Sequence, residues 1–252
     1  MRMLAALLLL AACMHAQAAE PLALRTSIEA NSELKWRPDG RSGLCPDILR
    51  ALERSDGALK VSWSPQRTPQ RRLVEDVARG RIDLACALGR TQEREERFAI
   101  PDVILYNNEL VAAVRQGDPL QLASLAELAR LPAPDVVLVN AGARLVARLR
   151  EMGVAHVDEG GKNPQDNLRK LAAGRGRVYL YHEPGMRWEI GRAGLGAQLQ
   201  VLNVALSTDA HYLLLSPQLP RATVQRITQA LRNMHADGSL RAITVRWSAA
   251  PH

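Results

Sequence analysis

The chain has 252 residues, 47% of them hydrophobic, enough to bury a core in one domain or two lobes, which excludes a disordered chain. Its formal charge of +7 rests mostly on arginine, with lysine only at 35, 60, 162 and 170. The arginines are scattered and a single phenylalanine leaves them without interleaved aromatics, so composition argues against a nucleic-acid partner.

Residues 1–19 have the form of an export leader. Arg2 gives the positive start, an apolar stretch follows, and Ala16-Gln17-Ala18 makes a small-x-small cleavage site. A second reading takes Leu10-Ala11-Ala12-Cys13 as a run similar to a bacterial lipobox, which would leave a lipid-modified Cys13. No later apolar run is long enough to span a bilayer.

After the leader the pattern predicts a strand over 22–28 and a polar loop to Arg41. A helix over 46–52 follows, where Pro46 suits the first turn and Asp47 complements the dipole. A strand is expected over 59–63. Thr68 then caps a helix opened by Pro69, with Leu73, Val74 and Val77 on one face and Gly80 at its end. The apolar run 82–88 reads as a third strand, broken by Gly89. Alternation of this kind argues for a doubly wound, mostly parallel sheet. A long apolar run over 109–115 leads to a second alternation. It consists of a strand at 136–139, helices at 143–152 and 167–173, a strand at 178–181, and apolar segments at 201–206 and 210–216. A helix over 221–235 closes the chain.

In open α/β sheets ligands sit beyond the carboxyl ends of the strands, which places Thr91 and Arg94 where a small anion would be gripped. Arginine offers a rigid fork matched to a carboxylate, although Arg94 could equally pair with Glu93 or Glu96 on a solvated turn. No serine-nucleophile, phosphate-loop or zinc-helix motif suggests other chemistry, and no histidine stands at zinc-site spacing from a cysteine.

Three residue pairs, Gly80 with Asp83, Thr91 with Arg94 and Phe98 with Pro101, resemble the signature of the bacterial family 3 solute-binding proteins, extracytoplasmic receptors of polar amino acid transporters. Gly43 with Asp47 upstream, and Asp237-Gly238-Ser239-Leu240 with Trp247 downstream, are similar to further pieces of the family pattern. The resemblance implies an α/β, two-lobe type II periplasmic binding protein fold, each lobe a doubly wound mostly parallel sheet with two hinge crossovers. The crossings would fall near Leu110 and Ser207, giving one lobe from 20–109 plus 208–252 and the other from 110–207.

The same resemblance implies the site. Arg94 would hold a ligand carboxylate, with Gly89 and Thr91 beside it. Backbone donors at Gly142, Ala143 and Arg144, following Asn140, would complete the anion site. Trp36 would supply an aromatic wall, Arg72 a charge at a helix start, and Tyr181, with Tyr179 and His182, a polar-aromatic cluster. Departures are plain. Ala143 stands where the family has threonine, Ala87 and Gly89 where it has hydroxyl residues, and Tyr179 where Gly176-Arg177-Val178 should lead to aspartate, leaving Glu183 as the stand-in for an ammonium anchor. A small organic acid would therefore suit the site as well as an amino acid does. Family geometry would bring Cys45 and Cys86 close; two buried thiols are the expectation and a bridge the alternative.

The implied function is a monomeric periplasmic binding protein, with no cofactor and no metal, that delivers a carboxylate-bearing ligand to an ABC permease in the inner membrane. Two alternatives use the same fold. One is a periplasmic enzyme similar to cyclohexadienyl dehydratases, with Glu183 or His182 as general acid. The other is an accessory protein of a sensor or redox system.

Overall fold

The computed structural model describes residues 21–30, 33–141 and 145–248. The expected leader with Cys13, and Gly142, Ala143 and Arg144, lie outside the described residues.

Strand β1 (Leu22–Glu29) pairs in parallel with β2 (Leu59–Thr68). β2 runs past the expected end at 63, beyond Pro65, which cannot donate to a ladder. The register slips between Ser27 and Ile28, so Pro65 and Gln66 bulge out and the strand resumes at Arg67. Between these strands α1 (Leu44–Ser55) buries Leu44, Ile48, Leu49 and Leu52 on one face. Its first N–H groups, which have no intrahelical partner, donate to the carbonyls of Leu34 (3.0 Å) and Lys35 (3.1 Å), so the loop after β1 is fixed on the helix start. A side chain at Gly43 would run into the Lys35 carbonyl.

Helix α2 (Gln70–Ala78) follows Pro69, buries Leu73 and Val77, and gives way to Gly80 at φ 65°. Strand β3 (Leu84–Gly89) runs beside β1: the Asp83 N–H donates to the Arg25 carbonyl at 2.8 Å, and Thr26 Oγ1 donates to the Leu84 carbonyl at 2.7 Å. Asp83 is structural: its carboxylate takes the Arg25 N–H at 2.7 Å and the Arg25 guanidinium at 3.0 Å. The turn beyond β3 is a short helix, α3 (Gln92–Arg97), capped by Thr91, whose hydroxyl accepts the Arg94 N–H at 3.3 Å. Cys45 and Cys86 form a disulfide across a Cα separation of 6.0 Å, tying α1 to β3. The expectation of two free thiols is thus corrected.

Strand β4 (Tyr106–Arg115) leads through a 3-10 turn (Leu125–Arg130) to β5 (Val137–Asn140), α4 (Leu145–Glu151) and β6 (Val157–Gly161). Then come α5 (Pro164–Ala172), β7 (Val178–Glu183), α6 (Gly185–Arg192) and β8 (Leu199–Val201). β6 and α6 escape the sequence reading for different reasons. β6 is the polar stretch Val157-Asp158-Glu159-Gly160-Gly161, paired with β5 at the end of the sheet, and α6 buries Met186, Trp188, Glu189 and Ile190 without a clean apolar stripe. Strand β9 (Ser207–Leu215) and helices α7 (Arg221–Ala236) and α8 (Ser239–Ser248) complete the chain.

β5 runs parallel to β6 and β7, while β4 and β9 enter antiparallel: β9 pairs with β3 and with the first half of β4, and β7 and β8 pair with β4 further along. β1 and β2 form a parallel two-stranded sheet with β3 alongside β1, β6-β5-β7 are parallel in the second lobe, and β9 and β4 join β3 to β7 in one sheet of order β3-β9-β4-β7-β5-β6. Buried apolar residues divide accordingly. Two clusters draw on 24–106 with 213–243, and two others on 110–199. α8 closes on the first lobe, where Trp247 Nε1 and the Arg246 guanidinium both donate to Asp47 at 2.7 Å. No helix among the described residues is long and apolar enough to cross a membrane.

Candidate functional site

Strand ends from both lobes converge where β4 and β9 cross, and the groups collected there are polar. Beyond β3, Arg94 folds back so that its Nη1 donates to the Gly89 carbonyl at 2.6 Å, with Thr91 capping the same turn. A bulge in β3 between Ala85 and Leu88, with Ala87 at φ 63°, shapes the approach to this turn. On β9, His211 packs its ring by Gly89, and its Nδ1 lies 3.0 Å from the hydroxyl of Tyr106 on β4. Burial, then the charges on Lys35, His182 and Arg94, push the His211 imidazole down to about 3, so the ring is neutral.

At the end of β1, Glu29 is buried. Its Oε2 accepts from Lys35 Nζ at 3.0 Å and its Oε1 from Gln70 Nε2 at 3.1 Å. Lys35 is equally enclosed, at 9% side-chain exposure against 7% for its partner, so this pair is shielded from solvent. From the second lobe, β7 contributes Tyr181, stacked on Tyr179 at 5.8 Å, and His182. Burial first, and the Lys35 ammonium after it, hold His182 below the ordinary imidazole range, with Asp209 pulling the other way. Its Nδ1 is buried and has no hydrogen-bond partner among the described residues. Burial also raises the Tyr181 phenol to about 12.

A cavity of about 770 Å³ opens between the lobes, lined by Glu33 on one side and by Asn140, Tyr181, Gln165, Glu189 and Arg192 on the other. Asn140 is held in place, its Oδ1 accepting from Asn167 at 2.8 Å and from the Tyr179 hydroxyl at 2.9 Å. The loop after β1 crosses to α6 here. Glu33 pairs with Arg192 at 2.7 Å, and Arg37 and Arg192 each lie 4.9 Å from the ring centre of the buried Trp188.

Arg94, Gly89 and Thr91 are therefore together, and Asn140 and Tyr181 line the cavity described above, on the second lobe. Three expected site residues are elsewhere. Trp36 is 1% exposed and packed edge-on to Trp63 in the first-lobe core, so it offers no wall. Arg72 projects into solvent and pairs with Asp76 at 3.7 Å, the ordinary fate of a charge on an amphipathic helix. Glu183 turns to Arg187 at 2.8 Å and lines another cavity, of about 400 Å³, with Glu109 and the 202–205 loop. Gly142, Ala143 and Arg144 fall outside the described residues. Sequence reasoning missed Glu29, Lys35, Tyr106 and His211, whose roles come from burial between distant segments. The polar Glu29 closing an apolar strand was the one local signal. No group of three or more His, Cys, Asp or Glu able to hold a metal occurs among the described residues.

Residues 30–250 match the family model of the bacterial extracellular solute-binding proteins, family 3. The chain belongs to this family. As a family 3 solute-binding protein it works outside the cytoplasmic membrane, in the periplasm or extracellular space. No curated protein matches it in sequence. Among solved structures it is similar to the probable amino-acid ABC transporter extracellular-binding protein YtmK of Bacillus subtilis. The TM-score is 0.73 at 14% identity, over 90% of this chain and 98% of that one. A binding component of an ABC transporter from Wolinella succinogenes, complexed with lysine, superposes with TM-score 0.68 at 16% identity, over 89% of this chain and 95% of that one. The ancestral amino acid-binding protein AncCDT-1, described as a precursor of cyclohexadienyl dehydratase, gives TM-score 0.64 at 16% identity, over 89% and 94%. These likenesses establish the two-lobe fold of the solute-binding protein.

Proposed function

We propose that this solute-binding protein captures a small carboxylate-bearing ligand, an amino acid or a related organic acid, between its lobes and presents it to an ABC permease. The observation that carries this reading is Arg94, folded over the end of β3 beside Gly89 and the neutral His211, at the joint where both lobes contribute polar groups. A guanidinium there meets a carboxylate in a partly desolvated setting, where a charge-assisted pair is strongest. Asn140 and Tyr181, which line the cavity on the second lobe, are the partners taken from that side. The lobes are taken as 20–109 with 208–252, and 110–207, in keeping with the division of the buried clusters.

The protein acts as a binder rather than an enzyme. Of the two candidate acids, Glu183 is ion-paired away from the joint and His182 is held neutral. We further propose export by the leader at 1–19, action as a monomer in the periplasm, and no nucleic-acid partner. A thermal-shift screen of the mature chain against amino acids, carboxylic acids and polyamines tests the reading. A carboxylate should raise Tm saturably, by roughly 2.7 kcal/mol of added stability at a hundredfold excess over Kd. Arg94→Ala should erase that rise while the protein stays folded; a response to polyamines alone would overturn the reading.

A further inference from the structure

The cavity of about 770 Å³ between the lobes is lined by one carboxylate that is almost enclosed, Glu189, whose side chain is 7% exposed. All of its protein donors reach a single oxygen. Arg192 gives Nε at 3.2 Å and Nη2 at 3.0 Å to Oε2, and Gln165 Nε2 donates to the same atom. Oε1 has no partner among the described residues, and the cavity is the open space that Glu189 lines. Each carboxylate oxygen has room for two donors, so Oε1 is an unfilled acceptor inside the protein.

The charges point the same way. Arg192 divides its fork, with Nη1 donating to Glu33 Oε2 at 2.7 Å, so one guanidinium serves two carboxylates. Burial raises the Glu189 carboxyl ahead of the opposing pull of Arg192, so the partners it has do not fully offset its loss of water. Lys162 and Arg169 also line the cavity, but both are exposed, where water screens them, and half-buried Asp166 adds a further carboxylate. Tyr181 on the same wall is neutral, its phenol raised to about 12 by burial and then by Glu189.

We propose that Glu189 is the cation anchor of this cavity: its Oε1 receives a positively charged nitrogen of the ligand, and the residue sets the preference for ligands that carry one. The inference rests on the reading of a ligand held between the lobes and names that ligand's second charged group. An ammonium gives up water on entering, and a buried carboxylate oxygen offsets that loss through a charge-assisted hydrogen bond, whereas a hydroxyl in the same place gains less from it.

Isothermal titration of the mature chain at pH 7.5 tests this with pairs that differ only in their one ammonium, replaced by hydroxyl. The pairs are L-alanine and L-lactate, L-glutamate and L-2-hydroxyglutarate, and 4-aminobutanoate and 4-hydroxybutanoate, with putrescine as a cation lacking a carboxylate. In any pair that binds, the ammonium member should be tighter by about tenfold or more, equivalent to about 1.4 kcal/mol. Glu189→Gln should bring the ratio toward one by weakening the ammonium member and sparing its hydroxy partner; a merely structural role would weaken both alike. Should that variant unfold because Arg192 loses its partner, the double change with Arg192→Gln, which leaves neither charge alone, should give the same collapse of the ratio. A hydroxy acid that binds the wild-type chain as tightly as its ammonium partner overturns this inference and leaves the carboxylate reading standing, and so does a ratio unchanged in the variant. Putrescine binding alone, and lost in Glu189→Gln, would sink the carboxylate reading and uphold this one. If nothing in the panel binds, both fall.

Discussion

Lys35 and Glu29 are six residues apart, yet nothing local makes them a pair. The loop that carries Lys35 is held by its carbonyls on the start of α1, and the fold buries both charges. Burying an ion pair gains little, but breaking one leaves a charge with no partner. Lys35→Met should therefore cost about 3–5 kcal/mol in urea unfolding, and the double change with Glu29→Gln should recover most of it. A double variant no better than the single one would show that the pair is not shielded. His211 gives a second residue-scale expectation. Its folded value, near 3, lies below the unfolded value of 6.5. The unfolded chain then takes up a proton that the folded chain refuses, so stability is full above pH 6.5 and declines toward pH 3, by up to about 1.4 kcal/mol per pH unit. His182, also lowered, acts in the same direction. Glu183 and Glu189, raised by burial, oppose the decline, since they bind protons more readily folded than unfolded. Unfolding curves at pH 7.5, 6 and 5 should show the fall, and His211→Gln should remove about one proton from its slope; an equal slope would place His211 in solvent.

Elements whose logic is local were legible in the chain. Gly80 ends α2 in the left-handed region, Thr91 caps α3, and Asp83 gathers the Arg25 N–H and guanidinium, so three residues from the first two signature pairs each have a physical job. The remaining elements depend on neighbours. β2 continues past Pro65 because β1 tolerates a bulge, β6 exists because β5 offers it an edge, and α6 forms under the loop that brings Arg37 over Trp188. Trp36 was misplaced for the same reason: the position of a loop tryptophan is set by the core it reaches, here beside Trp63. The disulfide closes a 41-residue separation, and chain-entropy reasoning assigns it about 4 kcal/mol. Replacing both cysteines by alanine should lower urea-unfolding stability by about that amount while far-UV circular dichroism stays native. A change below about 1 kcal/mol would mean the bridge does not restrict the unfolded chain.

At the scale of the whole molecule, β4 and β9 couple the lobes through one continuous sheet, and the loop after β1 adds contacts to α6 through Glu33 and Arg37. A ligand shifts such a molecule toward closure only by binding the closed arrangement better, so it must touch both lobes. Under the proposed reading, Arg94 on the first lobe and Asn140 and Tyr181 on the second are the groups it would touch. This arrangement of halves was readable from the alternation of strands and helices, whereas the cleft's charge balance was not, because it depends on which carboxylates find partners after folding. The most direct measurement is isothermal titration of the mature chain, beside Arg94→Ala, with the carboxylate that gives the largest thermal shift. One site per chain, with affinity lost at least a hundredfold in the variant while its melting cooperativity is kept, is the expected result, about 2.7 kcal/mol for a charged contact. Equal affinity in the two proteins would contradict the assignment of Arg94 as the carboxylate clamp.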